Sequence, residues 1–291
     1  MILLPLVLVL VSTFMHAGWN LLAREQRGRD IFLPLLLIVG VVGLFPALIA
    51  EWQSTPIIPL VWPHLLLTAN FQALYYFGLF KGYRSGDFTV VYPVARSLPV
   101  LVLALVDLIR GNTPSLIGGL GMGLIMVGCV LAPLESWRGF SLARYWNKTM
   151  VWIGVTALGM IGYTLVDRAA AAQMHTGLDT ALRYGLWETI ATAGAYFVLL
   201  KWMNQPLIQI EGRAVWRRVT LAGVLMFGAY SLVLWAYQMP VPISYIVALR
   251  QFSIVLGVVA GAFLFHEPAP RWRISMALLI VAGVILISVW G

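Results

Sequence analysis

The chain has 291 residues, of which 61% are hydrophobic and 10% charged, with a formal net charge of +8. A soluble domain is typically about 25% charged, so an ordinary water-soluble enzyme is excluded. The apolar content excludes disorder, and the single cysteine, Cys129, excludes a disulfide scaffold.

Helices of about 20 apolar residues cross a bilayer. Ten such spans follow one another, at 2–22, 31–50, 62–82, 87–109, 115–133, 149–171, 180–202, 215–238, 242–265 and 272–290. Short loops marked by Pro, Gly or charge join them. The first span has no basic leader and no small-residue cleavage site, which reads as a retained helix. Of the 19 Lys and Arg, 14 fall in or beside the loops joining spans 1–2, 3–4, 5–6, 7–8 and 9–10. The other side carries Arg110, Arg168 and Arg183. The positive-inside rule puts the 14-charge side in the cytoplasm and both termini outside. Trp52, Trp62, Trp146, Trp202, Trp216, Trp272 and Trp290 lie near span ends, where amphipathic rings prefer to sit.

The halves repeat. A shift of 154 residues aligns Tyr76 with Tyr230, Tyr83 with Tyr237, Arg96 with Arg250 and Pro114 with Pro268. A shift of 144 aligns Gly18 with Gly162 and Arg24 with Arg168. Five spans per half, an odd number, turn the second copy upside down. The expected fold is an all-α integral membrane protein, with ten transmembrane helices in two inverted five-helix repeats, 1–140 and 141–291. Such repeats are typical of secondary transporters, with the site near the midplane between them.

Arg96 and Arg250 carry the sharpest signal, since each lies near the middle of its span. A charge there costs about 2.5–3.5 kcal/mol on insertion scales and usually faces a cavity or a partner. Two guanidiniums meeting across a repeat axis suit a carboxylate, phosphate or phosphonate. The competing reading makes both arginines structural, bonded to carbonyls freed by nearby prolines. In the fourth span Tyr92 sits beside Pro93, and Pro99 follows Arg96. The two prolines leave the Thr89 and Ala95 carbonyls without helical partners, and irregular backbone is expected there. In the ninth span Ser253, Gly257 and Gly261 follow Arg250 on one face, and read chiefly as packing residues.

On the first span His16, Trp19, Asn20 and Ala23 share a face. Their repeat equivalents are Met160, Tyr163, Thr164 and Asp167. Such stripes suit a wet cavity or interhelical hydrogen bonds equally. Glu188, on one face with Tyr184 and Trp187, reads as an arginine counter-ion, a protonatable group or a structural ion. Glu188 and His16 are the candidates for proton coupling. Gln72, Tyr75 and Tyr76 on the third span, with Tyr230 and Trp235 on the eighth, are secondary cavity candidates. Asp107 and Lys81 read as snorkelling near span ends. Gly119 and Gly123 form a GxxxG, with Gly128 beyond; it brings helices together within a chain or in a homodimer. His266-Glu267-Pro268 is not a zinc HExxH motif. No P-loop, CxxC or GxSxG occurs, so no catalytic residue, metal or cofactor is implied.

Met15-His16-Ala17-Gly18-Trp19-Asn20, Val91-Tyr92-Pro93-Val94-Ala95-Arg96, Gly162-Tyr163-Thr164-Leu165-Val166-Asp167-Arg168 and His266-Glu267-Pro268 resemble stretches of the drug/metabolite transporter superfamily, in its EamA-type ten-helix branch. In the first half Asn112-Thr113-Pro114 lacks the acidic residue that many members carry before the proline. The resemblance implies a central cavity walled mainly by spans 1, 3, 4, 6, 8 and 9, with the fifth and tenth peripheral. It makes Trp19, Tyr76, Arg96, Tyr163, Tyr230 and Arg250 cavity residues. It also implies transport of small metabolites, often export of amino acids or related compounds. Members are often drawn with both termini in the cytoplasm, the reverse of the loop charges here.

The resulting expectation is a metabolite transporter, an exporter in direction, in the bacterial inner membrane. Arg96 and Arg250 would hold an anionic group, and Trp19, Asn20, Tyr76, Tyr92, Tyr163 and Tyr230 would shape the site. The partners are a small-molecule substrate and lipid, with no nucleic acid. The rival readings are a membrane-embedded enzyme acting on a lipid or polyprenyl phosphate, a cationic drug exporter using Glu188, and a non-transporting assembly or sensor subunit.

Overall fold

A computed structural model describes residues 3–24, 30–85, 88–131, 148–264 and 271–290. Within these helices the side chains of 23–24, 83, 85, 88–97, 148–149, 258 and 261–264 lie outside the description, as do Trp146 and His266 to Pro268. Every regular element among the described residues is an α-helix. In chain order they are α1 (Leu3–Arg24), α2 (Phe32–Trp52), α3 (Ile58–Ser85), α4 (Phe88–Ile109), α5 (Leu116–Leu131) and α6 (Lys148–Ala171), then α7 (Leu178–Trp202), α8 (Arg213–Tyr237), α9 (Ile243–Leu249), α10 (Phe252–Leu264) and α11 (Arg271–Trp290). These fit the ten spans, with α9 and α10 together making the ninth. Five described helical stretches are long and apolar enough to cross a membrane: Leu3–Leu22, Phe32–Trp52, Met150–Ala171, Arg213–Tyr237 and Arg271–Trp290. Val41, Phe45, Leu221 and Leu278 point outward, and Trp52, Trp202 and Trp290 lie exposed at helix ends.

The halves interleave. The closest pairs are α3 with α6, α1 with α8, α5 with α11 and α2 with α7, each joining one half to the other. Glycine sets the closest approaches. A Cβ on Gly159 would lie 2.7 Å from the Phe71 carbonyl oxygen, and one on Gly78 would lie 2.9 Å from the Thr156 backbone nitrogen, so α3 and α6 meet backbone to backbone. On α5 the packing glycines are Gly121, against the Gly283 carbonyl, and Gly128, against Ile280 and Met276. Gly119 and Gly123, the pair in the GxxxG, meet nothing within 4 Å.

The helix interruption falls in the ninth span. Pro93 and Pro99 lie inside α4, which runs as one helix. Span nine breaks at Arg250 and Gln251, where neither proline nor glycine stands. There Gln251 N–H bonds the Ala248 carbonyl at 2.9 Å, Ser253 N–H the Arg250 carbonyl at 3.2 Å and Ile254 N–H the Gln251 carbonyl at 2.8 Å. These are tighter three-residue turns. Side chains serve two of the carbonyls at the break. Gln251 Nε2 donates to the Val247 carbonyl at 3.0 Å, and Ser253 Oγ to the Arg250 carbonyl at 2.9 Å. Buried backbone groups need partners, and these two polar side chains supply them.

One end of the bundle is tied by buried charge. Arg168 of α6, half-buried, donates to the carbonyl of Tyr237 at the end of α8 and to those of Met239 and Val241 beyond it. Arg183 of α7 donates to the Thr55 carbonyl at 2.9 Å and lies 3.6 Å from Glu51 and 3.5 Å from Asp179. Asp107, expected to snorkel, is buried instead and accepts the Ser244 backbone N–H at 2.8 Å, capping α9 from outside. At the opposite end Asp30 accepts the Phe32 N–H at 2.9 Å and the Tyr196 hydroxyl at 2.6 Å. Lys81 Nζ lies 5.2 and 5.6 Å from the ring centres of Phe77 and Phe80 and donates to Gln205 Oε1 at 3.3 Å.

Candidate functional site

A cavity lies between the halves, enclosing about 630 Å³ of atom-free space with its mouth included. His16 and Trp19 of α1 line it, with Gln72, Tyr75 and Tyr76 of α3 and Tyr163 of α6. Glu188 of α7, Tyr230 and Ser231 of α8, and Arg250 at the break complete its polar wall. Both members of the aligned pair Tyr76 and Tyr230 are present, as are both members of Trp19 and Tyr163. The resemblance left spans 2 and 7 out of the wall, yet Leu36 and Val39 of α2 and Gly185, Glu188 and Thr189 of α7 stand in it. The break aids the placement of Arg250, because the side chain leaves from a turn between two helix ends.

The aromatic groups form a continuous surface. Tyr75 meets Tyr76 and Tyr163 at 5.1 and 5.6 Å between ring centroids, and Tyr163 meets Tyr230 at 6.1 Å. These edge-to-face contacts are the favoured aromatic geometry. The Arg250 guanidinium lies 5.8 Å from the centre of the Tyr230 ring, within cation–π range.

Arg250 is 5% exposed and Glu188 1%. Gln72 Nε2 donates to Glu188 Oε1. Among the described residues Glu188 Oε2 and Arg250 Nη1 have no hydrogen-bond partner, and no carboxylate lies within 4.0 Å of Arg250. Buried polar atoms are normally bonded, so two such atoms of opposite charge on one cavity wall are unusual. Trp19 Nε1 donates to His16 Nδ1 at 3.0 Å.

The sequence reading selected nine residues that the fold gathers at this wall: His16, Trp19, Gln72, Tyr75, Tyr76, Tyr163, Glu188, Tyr230 and Arg250. Asn20 does not line the cavity; its amide donates to the carbonyl of His16, which does, at 2.7 Å. The side chains of Arg96 and Tyr92 lie outside the described residues. Sequence reasoning left Asp167 out of the site, naming it as the repeat equivalent of Ala23 and within the 162–168 stretch. It is fully buried behind Tyr230 and accepts the Tyr230 hydroxyl at 2.5 Å and the Tyr184 hydroxyl at 2.9 Å. An acidic residue at mid-helix depth was the available signal.

Residues 3–133 match the model of the EamA-like transporter family. Over those residues, somewhat under half of its length, the chain is similar to that family. The EamA-like match and the apolar helices together point to an integral membrane protein of drug/metabolite transporter type. A solved crystal structure of a protein superposes with a TM-score of 0.74 at 15% identity, covering 97% of this chain and 95% of its own. At that identity the likeness concerns the fold, and it extends over both halves. No curated protein matches the chain.

Proposed function

We propose that this EamA-like chain is a secondary transporter that exports a small metabolite bearing a carboxylate or phosphate-type group. The observation that carries the reading is Arg250: buried, on the cavity wall, with Nη1 unbonded and no carboxylate in ion-pair range among the described residues. A guanidinium held this way suits an oxyanion. Trp19, Tyr76, Tyr163 and Tyr230 wall the space for the rest of the molecule, and Arg96 is the repeat partner assigned to the same anion. Asn20 and Tyr92 are assigned supporting places in the site.

The two units, 1–140 and 141–291, are inverted repeats in this reading and rock about the cavity in alternating access. The cross-half pairs support it, because exchanging the halves turns the pair α1 and α8 into the pair α6 and α3. The loop charges support an inner-membrane protein with both termini outside.

The test is counterflow in proteoliposomes loaded with anionic, zwitterionic or cationic metabolites. Trans-stimulated uptake is expected for solutes with a carboxylate or phosphate, and is expected to vanish in Arg250→Lys, because a point charge does not replace a planar fork. Uptake of cations alone, or a solute returned chemically altered, would overturn the reading.

A further inference from the structure

The cavity and the layer behind it hold two carboxylates, Asp167 and Glu188, against one described guanidinium, Arg250. All three are nine-tenths buried or more. Two buried carboxylates at one cavity each disfavour the other's ionised form, and a proton on one of them relieves that repulsion. The hydrogen bonds say which carboxylate takes it. Asp167 accepts two phenol hydroxyls, one on each oxygen, from Tyr184 and Tyr230. Donors on both oxygens stabilise the ionised form. Glu188 has one amide donor, Gln72, and an Oε2 with no partner among the described residues.

We propose that Glu188 is the proton-carrying group of this cavity and that Asp167 is its fixed counter-charge to Arg250. The proton binds Oε2 as a neutral carboxylic acid, and returns to water when the cavity opens on the other side. The use of this proton rests on the transporter reading above. An anion on Arg250 and a proton on Glu188 favour each other electrostatically, and such coupling is reciprocal.

The surroundings of Glu188 agree. From α2 the cavity receives only Leu36 and Val39, which do not titrate. From α3 come Tyr75 and Tyr76, from α8 Tyr230, and from its own helix Tyr184, already bonded to Asp167. His16 of α1 is the other candidate, but its Nδ1 faces the Trp19 indole N–H. Indole only donates, so Nδ1 is already engaged as an acceptor.

Infrared spectroscopy of the lipid-reconstituted protein, with no substrate added, tests this directly. At neutral pH the wild type is expected to show a protonated-carboxyl C=O band. The band should shift on ¹³C-glutamate labelling and not on ¹³C-aspartate labelling, and disappear in Glu188→Gln. If Glu188→Gln does not fold, Glu188→Asp should transfer the band to the aspartate label. A wild type without the band, one whose band follows aspartate, or a band that survives in Glu188→Gln would overturn the proposal. No transported solute enters the measurement, so it fails or succeeds independently of the counterflow result.

Discussion

The chain holds charge in its interior in two contrasting ways. At the tied end Arg183 reaches two carboxylates and a carbonyl, Arg168 reaches three carbonyls, and Asp107 caps a helix. In the cavity Arg250 and Glu188 are deeply buried too. A single unbonded atom does not set them apart, because Glu51 Oε2 and Arg183 Nε also lack hydrogen-bond partners. What differs from the Arg183 cluster is that neither Arg250 nor Glu188 has an oppositely charged side chain within 4.0 Å among the described residues. The ties hold segments of opposite halves together: Glu51 and Thr55 with Arg183, and Asp107 with Ser244. The cavity charges sit between those halves and have bonding capacity left for something that enters.

Substitutions should separate the two classes. Arg183→Ala strands Glu51 with no described cation in reach, and is expected to destabilise by about 3 kcal/mol, the lower end for broken buried pairs because its partners are partly exposed; thermal unfolding in detergent reads this. Tyr184→Phe takes a hydroxyl from Asp167 and should cost about 1.5–3 kcal/mol by the same measurement, as for other hydrogen bonds to a charged group. Glu188→Gln exchanges a neutral acid for a neutral amide of the same shape, and should change stability by less than about 1 kcal/mol. A loss as large as that of Arg183→Ala would move Glu188 into the structural class.

Asp30 gives the smallest and most graded effect. Burial pushes its carboxyl above the ordinary range, against the opposing pull of the Tyr196 hydroxyl, the Phe32 N–H and Lys81. A carboxyl raised in the folded state supports the fold most in acid. That support fades as pH rises through the usual carboxylate range to the raised folded value. Measured against Asp30→Asn, the wild type should therefore lose stability as pH climbs. A difference independent of pH would show that Asp30 ionises as readily folded as unfolded.

Much of the fold was legible because hydropathy and loop charge act locally. The ten spans correspond to the helices, and the paired tyrosines fell where one cavity could gather them. What was missed depends on partners distant in sequence. The prolines of α4 suggested irregular backbone there, yet the break formed at Arg250 and Gln251, sustained by hydrogen bonds from Gln251 and Ser253. The GxxxG named Gly119 and Gly123, but α11 packs on the face of Gly121 and Gly128. Which face of a glycine-rich helix is covered depends on the neighbour. Val39 and Glu188 entered the cavity because α2 and α7 close its side, a placement that spacing along either helix does not encode. Asp167 became conspicuous only once two tyrosines from other helices were seen to meet it.

The central claim is that Arg250 recognises an anionic group in the cavity. Its most direct measurement is ligand-induced thermal shift on purified protein, wild type against Arg250→Lys, across anionic, zwitterionic and cationic metabolites. Binding stabilises by mass action, about 2.7 kcal/mol at a hundredfold excess over Kd. The account predicts stabilisation confined to compounds with a carboxylate or phosphate, and its loss in Arg250→Lys while the unliganded proteins unfold alike. Stabilisation by cations alone, or stabilisation that survives the substitution, would contradict it.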